Sequence, residues 1–84
     1  MIVGRVETSR IRLLAIERMF ASKIPLNSEK ILRKLDLEYD IQANRKTIYA
    51  DIAALNRFMN IVSVGEGRGH YWQYIDMKEL LKDD

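Results

Sequence analysis

An 84-residue chain with no cysteine, 48% hydrophobic and 31% charged residues and a formal net charge of +2 predicts one small folded domain with no disulfide framework behind it. No apolar run approaches the roughly 20 residues that cross a bilayer, and MIVGRVETSR lacks the long apolar segment of a secretory signal, which excludes a membrane-spanning chain and leads us to expect a cytoplasmic one. A charge of +2 implies no nucleic-acid partner by itself, but residues 1–34 carry eight basic against three acidic residues, a local +5, while the tail from Asp76 onward carries two against four, a local −2.

The first periodic segment runs from about Ser9, a candidate N-cap, to Ser22, with Leu13, Ile16 and Phe20 at helical spacing and Leu14 and Met19 broadening the apolar face. Ile24 and Pro25 end or redirect it. Asn27 can cap a second helix from about Ser28 to Asp36, burying Ile31, Leu32 and Leu35 and leaving Lys30, Arg33 and Lys34 wet. Leu37, Tyr39 and Ile41 are expected to anchor the connection that follows. The basic residues of these two helices either face phosphates or simply solvate their surfaces.

Asn44 is the best cap in the chain, because its side chain can accept from the open amides of a first turn. From Arg45 to about Met59, an inward stripe of Ile48, Ile52, Leu55 and either Phe58 or Met59 leaves Arg45, Lys46, Tyr49, Ala50, Ala53 and Arg57 on or beside the outward face. That face suits a duplex groove. Arg45 and Lys46 can donate to guanine edges or phosphates, and small Ala50 and Ala53 permit close approach to the groove floor. Other readings stand beside this one: Ala53 leaves room for another helix, and Tyr49 either touches a base methyl or phosphate or lies as a flap over the core. Thr47 supports local capping or contacts phosphate. Asp51 would repel phosphate if it pointed outward, so an ion pair with an arginine of the first or third helix is expected for it.

IVSV at 61–64 and HYWQYI at 70–75 read as short antiparallel strands separated by GEGRG, whose three glycines permit a tight or partly disordered tip at 65–69. Arg68 is the fixed positive charge of that tip, suited to the minor groove or a phosphate, with Glu66 opposing the approach and simple solvation as the other reading. His70, Trp72 and Tyr74 alternate with Tyr71, Gln73 and Ile75. One aromatic face should cover the helices, and the other is free for a partner or a dimer mate. His70 has no cysteine or second histidine with which to share a metal and is expected to be a solvated strand residue. A last short helix, about 76–83, starts at Asp76 with Glu79 at the capping-box position, and its Leu80 and Leu81 would dock on the core or on a second subunit.

Enzyme chemistry has little support, and no cofactor or metal is expected. No serine has a convincing His and Asp partnership, GEGRGHYW lacks the Lys-Ser or Lys-Thr of a phosphate-binding loop, and Asp36 and Asp40 are ordinary surface acids at a helix end. The architecture expected is α+β: a three-helix core with a two-stranded hairpin, the layout of a winged helix-turn-helix.

The segment NRKTIYADIAAL resembles the recognition helix of winged helix-turn-helix transcriptional regulators of the DeoR-like type, especially the N-terminal domain of WYL-domain regulators. The resemblance rests on Asn44, Arg45, Lys46, Thr47, Ile48, Asp51, Ile52 and Leu55 and extends over about residues 10–75, with Arg12, Leu13 and Ile16 similar to the opening helix and Gly69 and Tyr71 similar to the end of the wing. It implies sequence-specific binding of double-stranded DNA, often by a homodimer, and control of transcription. Two departures are visible: Ala50 stands where the family often has arginine, and the larger effector-sensing region that usually follows the wing has no counterpart. The chain is then either an isolated domain or a small stand-alone relative, of host or phage origin. A protein-interaction role, through the aromatic wing or the last helix, is the alternative.

Overall fold

Three helices and one β-hairpin follow one another in the computed structural model, which describes residues 5–76 and 78 and, of residues 5–7 and 68, the backbone alone. The result is a small α+β domain of winged-helix-like architecture. The first helix, α1, spans Arg5–Ala21. Ser9 therefore lies inside it and caps nothing, since residues that favour caps are also tolerated within a helix that has already nucleated. The α1 face formed by Ala15, Ile16, Met19 and Phe20 is buried, with Leu13 half-buried, whereas Leu14 is 59% exposed because it sits opposite that face. Ser22 donates from its hydroxyl to the Met19 carbonyl (2.6 Å), and Lys23 turns the chain through the left-handed region (φ 65°) ahead of Pro25.

The second helix, α2, spans Ser28–Tyr39 and begins as its sequence predicts, with Asn27 Oδ1 accepting from the Lys30 amide at 2.8 Å. It runs three residues beyond Asp36. Continuing the helical turn carries Leu37 some 200° around the axis from Leu35, so Leu37 is 75% exposed and anchors nothing, while Tyr39, one turn beyond Leu35, packs on the core. Asp40 then adopts the left-handed conformation (φ 55°, ψ 39°), and the amides of Asp40 and Ile41 both donate to the Leu35 carbonyl. Buried Ile41 and half-buried Ala43 seat the turn that leads to the third helix.

The third helix, α3, spans Arg45–Leu55, with Asn44 Oδ1 accepting from the Thr47 amide at 2.9 Å. It ends four residues before Met59. Asn56 stops it: its side chain accepts from the Ile61 amide (3.0 Å), which pulls the chain toward the hairpin, and the Phe58 and Met59 amides both return to the Leu55 carbonyl. Phe58 is therefore outside the helical period and 86% exposed, and Met59 alone reaches the core.

Strands β1, Ile61–Val64, and β2, Tyr71–Tyr74, pair antiparallel with Ile61 opposite Tyr74 and Ser63 opposite Trp72. On the other side of β2, Leu26 forms an isolated bridge to Trp72. The Leu26 amide donates to the Trp72 carbonyl (2.9 Å) and the Trp72 amide to the Leu26 carbonyl (2.7 Å), so β2 lies between β1 and the link that joins α1 to α2. Leu26 is buried beside Phe20, Ile16, Ile31, Leu35 and Ile48 in one core. Complete burial of each such side chain is worth about 1.5–3 kcal/mol. No helix among the described residues is long and apolar enough to cross a membrane. The short helix expected at about 76–83 lies outside the described residues except for Asp76 and Lys78, where Asp76 Oδ1 accepts from the Lys78 amide.

A charged pair ties α1 to α3. Both oxygens of Asp51 accept from the Arg12 guanidinium, from Nη2 at 3.1 Å and from Nε, and the side chains are only 17% and 12% exposed. The hydrogen bond to Asp51 raises the Arg12 pKa above its ordinary value, burial works against that rise, and the charge of Asp51 adds to it. A raised guanidinium contributes fully below its ordinary value and is lost only in strong alkali, so the arginine introduces no pH dependence near neutrality.

Arg12→Leu or Asp51→Leu alone should cost about 2 kcal/mol or more, because each strands a poorly solvated charge, whereas the double replacement should cost markedly less than the sum of the two. Denaturant unfolding of the four proteins in this cycle checks the coupling.

Candidate nucleic-acid interface

The outward face of α3 is as open as its periodicity predicts. Arg45, Lys46, Tyr49, Ala50 and Ala53 are exposed while Ile48, Asp51, Ile52 and Leu55 are buried, so the helix separates a polar face from a core face. Spacings of three, four and seven residues from Lys46 put Tyr49, Ala50 and Ala53 on one side of the cylinder. Because Ala53 is exposed, no helix among the described residues covers it, and its small size leaves open space rather than a packing notch. Arg57 is exposed too, but it lies in the turn after α3 and not on the helix. Thr47 is half-buried and serves the cap through its amide, next to Arg12, Gln42 and Asn44 in a shallow hollow.

Tyr49 lies against the core, as the flap reading expects, and keeps part of its ring open. It is 49% exposed, and its ring meets buried Trp72 edge-on at 5.5 Å between centroids and 69° between planes. One side of the ring therefore braces the hairpin against α3 while the remainder stays on the open face. Trp72 itself is only 8% exposed and belongs to the core, and half-buried Tyr74 packs against it, so these two rings of β2 face the helices.

The tip between the strands is hydrogen-bonded. Residues Gly67–Gly69 form a 3-10 turn in which the Gly69 amide donates to the Glu66 carbonyl and the His70 amide to the Gly67 carbonyl, each at 3.2 Å. Arg68 is the middle residue of that turn. Gly65 (φ 84°) and Gly67 (φ 59°) hold left-handed conformations that set the path of the tip.

Between α2, α3 and the tip lies an open cleft of about 710 Å³, lined by Asn27, Ser28, Glu29, Arg45, Tyr49, Gly67 and His70. The first turns of both α2 and α3 border it, and helix N-termini carry partial positive charge. Arg45 Nη2 stands 3.7 Å from Glu29 Oε1, with side chains 62% and 72% exposed, a loose surface pair. Sequence reasoning named Arg45 but missed Glu29, Ser28 and His70 as its neighbours. The spacing of residues within each element carries no signal of how α2, α3 and the hairpin converge. The groups available in this cleft are the Arg45 guanidinium, the Ser28 and Tyr49 hydroxyls, the Asn27 amide and the His70 imidazole, with the Glu29 carboxylate among them.

Gly65→Ala should cost at least about 1 kcal/mol, since it imposes a left-handed φ on a residue with a side chain and brings a Cβ within 2.9 Å of the Gly69 carbonyl oxygen. Gly69→Ala, with nothing within 4 Å of its Cβ, should stay within about 0.5 kcal/mol of the parent. Thermal unfolding of the two variants, with backbone amide shifts of residues 64–71, reports the difference.

The chain matches no family model, no curated protein sequence and no solved structure.

Proposed function

We propose that this protein binds double-stranded DNA in a sequence-specific manner and regulates transcription in the cytoplasm, as a binding module rather than an enzyme. The observation that carries this reading is the exposed face of α3, with Arg45, Lys46, Tyr49, Ala50 and Ala53 together on the side away from the core and strand β2 braced beside it through Trp72. In this reading α3 enters the major groove, where Lys46 and Arg45 donate to base edges or phosphates, and Arg68 at the tip approaches the minor groove or a phosphate. Phosphate contacts provide affinity and base-edge contacts provide discrimination. The resemblance of NRKTIYADIAAL to the recognition helix of DeoR-like and WYL-domain regulators supports the same assignment. One copy offers a small contact area, which favours a homodimer on adjacent half-sites.

A protein-interaction role is the second reading, and Phe58 favours it. An aromatic side chain 86% exposed just after α3 offers a protein partner apolar area to bury. Trp72 does not contribute to that reading, being buried.

Selection of preferred sequences from a pool of duplex fragments, followed by a salt titration on the winning site, tests the proposal. The expected result is a reproducible motif whose affinity falls with salt, and loss of about two units of the log–log salt slope in the Lys46→Ala, Arg68→Ala double variant with helical content unchanged. No enrichment and no binding even at low salt would transfer the assignment to the protein-interaction reading.

A further inference from the structure

His70 is the single histidine of the chain, and it stands just ahead of β2, open on one side and held on the other. It is half-buried at the head of β2, its ring stands edge-on to Trp72 with centroids 4.7 Å apart and planes at 87°, and its Nε2 is hydrogen-bonded to the Ser63 hydroxyl across the hairpin. Two partners on the hairpin thus fix the imidazole where it lines the open cleft opposite Ser28 and Arg45.

The charged and titratable groups that share the cleft with the imidazole are Glu29 of α2 and Arg45 and the Tyr49 phenol of α3; the tip lines it with Gly67, whose neighbours in sequence are Glu66 and Arg68. Hydroxyl donors, a guanidinium and an imidazole from three different elements, next to the first turns of two helices, fit a phosphodiester better than any neutral or cationic ligand. Glu29 opposes such a ligand, but its pairing with Arg45 is exposed at both ends and costs little to give up.

We infer that, within the DNA-binding reading above, this cleft seats one phosphodiester of the duplex and that His70 is a proton-dependent contact to it. Neutral imidazole carries one N–H; imidazolium carries two and a positive charge. The Ser63 hydroxyl donates to Nε2 of the neutral ring and accepts from it in the charged ring, so one N–H is left for the phosphate in both forms and only the charged form makes that bond charge-assisted. Histidine is the side chain whose charge changes between about pH 5 and pH 8. A phosphate contact made by imidazolium couples binding to proton uptake, so affinity falls as pH rises.

The experiment is duplex binding by fluorescence anisotropy with a pH-insensitive dye, on the selected site, at fixed ionic strength, for the parent and His70→Gln. The parent should bind about threefold to tenfold more tightly near pH 6 than near pH 8, with a log–log salt slope steeper by about one at the lower pH. His70→Gln should be flat with pH and should match the parent near pH 8. The imidazole proton resonance of the parent, followed by NMR with and without duplex, should move its titration midpoint to higher pH on binding, a readout that needs no variant. Parent binding that is flat with pH, an unmoved midpoint, or an equal pH dependence in His70→Gln would each overturn the inference while leaving DNA binding intact. Absence of binding at both pH values would overturn the DNA reading and this inference with it.

Discussion

The backbone pairing of Trp72 with Leu26 is the constraint that holds the hairpin of this fold on its helices. It joins the link between α1 and α2 to the second strand of the hairpin by two hydrogen bonds, and the same residue lies opposite Ser63 on β1 and presents its ring to Tyr49 of α3. A two-stranded hairpin is marginal by itself in water. Here it gains a third contact line along β2 and a hydrophobic face in Trp72 and Tyr74 that rests on the helical core. The position of the tip relative to α3 is a consequence of that docking rather than of the turn sequence.

Where one element supplies its own physics, the sequence was readable. Asn27 and Asn44 each cap the helix that follows through the side-chain bond their position predicts, and Ile48, Ile52 and Leu55 lie inward at helical spacing. Asp51 shows the limit of such reasoning: electrostatics alone demanded an arginine near it, but only the packing of α1 on α3 selects Arg12. Leu37 and Phe58 show another limit, because the face an apolar residue presents near a helix end depends on where that end falls. Asp40 in a left-handed conformation and the Asn56 side chain set those ends, and both act through contacts that periodicity does not register. The Leu26 bridge left no pattern at all, since one extended residue has no alternation to read. The outward residues of α3 were legible for the same reason as its core stripe, whereas the cleft beside them, a product of three converging elements, was not.

GEGRG reads as a tight or partly disordered tip, and its backbone takes the tight form, ordered by a short turn with its own hydrogen bonds. Glycine here serves geometry, since Gly65 approaches the Gly69 carbonyl more closely than a Cβ would allow. A tip whose backbone is already folded loses less conformational entropy when it meets a partner than a floppy one would.

The Arg12–Asp51 pair changes how the charge of the domain looks from a distance. Two opposite charges in contact act as a dipole, whose potential dies away faster than that of a single ion. The carboxylate of α3 is thereby hidden, and so is one of the basic residues counted for α1. A polyanion approaching α3 meets the field of Lys46, and that of Arg45 once its loose pair with Glu29 opens, with the helix's own acid already cancelled behind them.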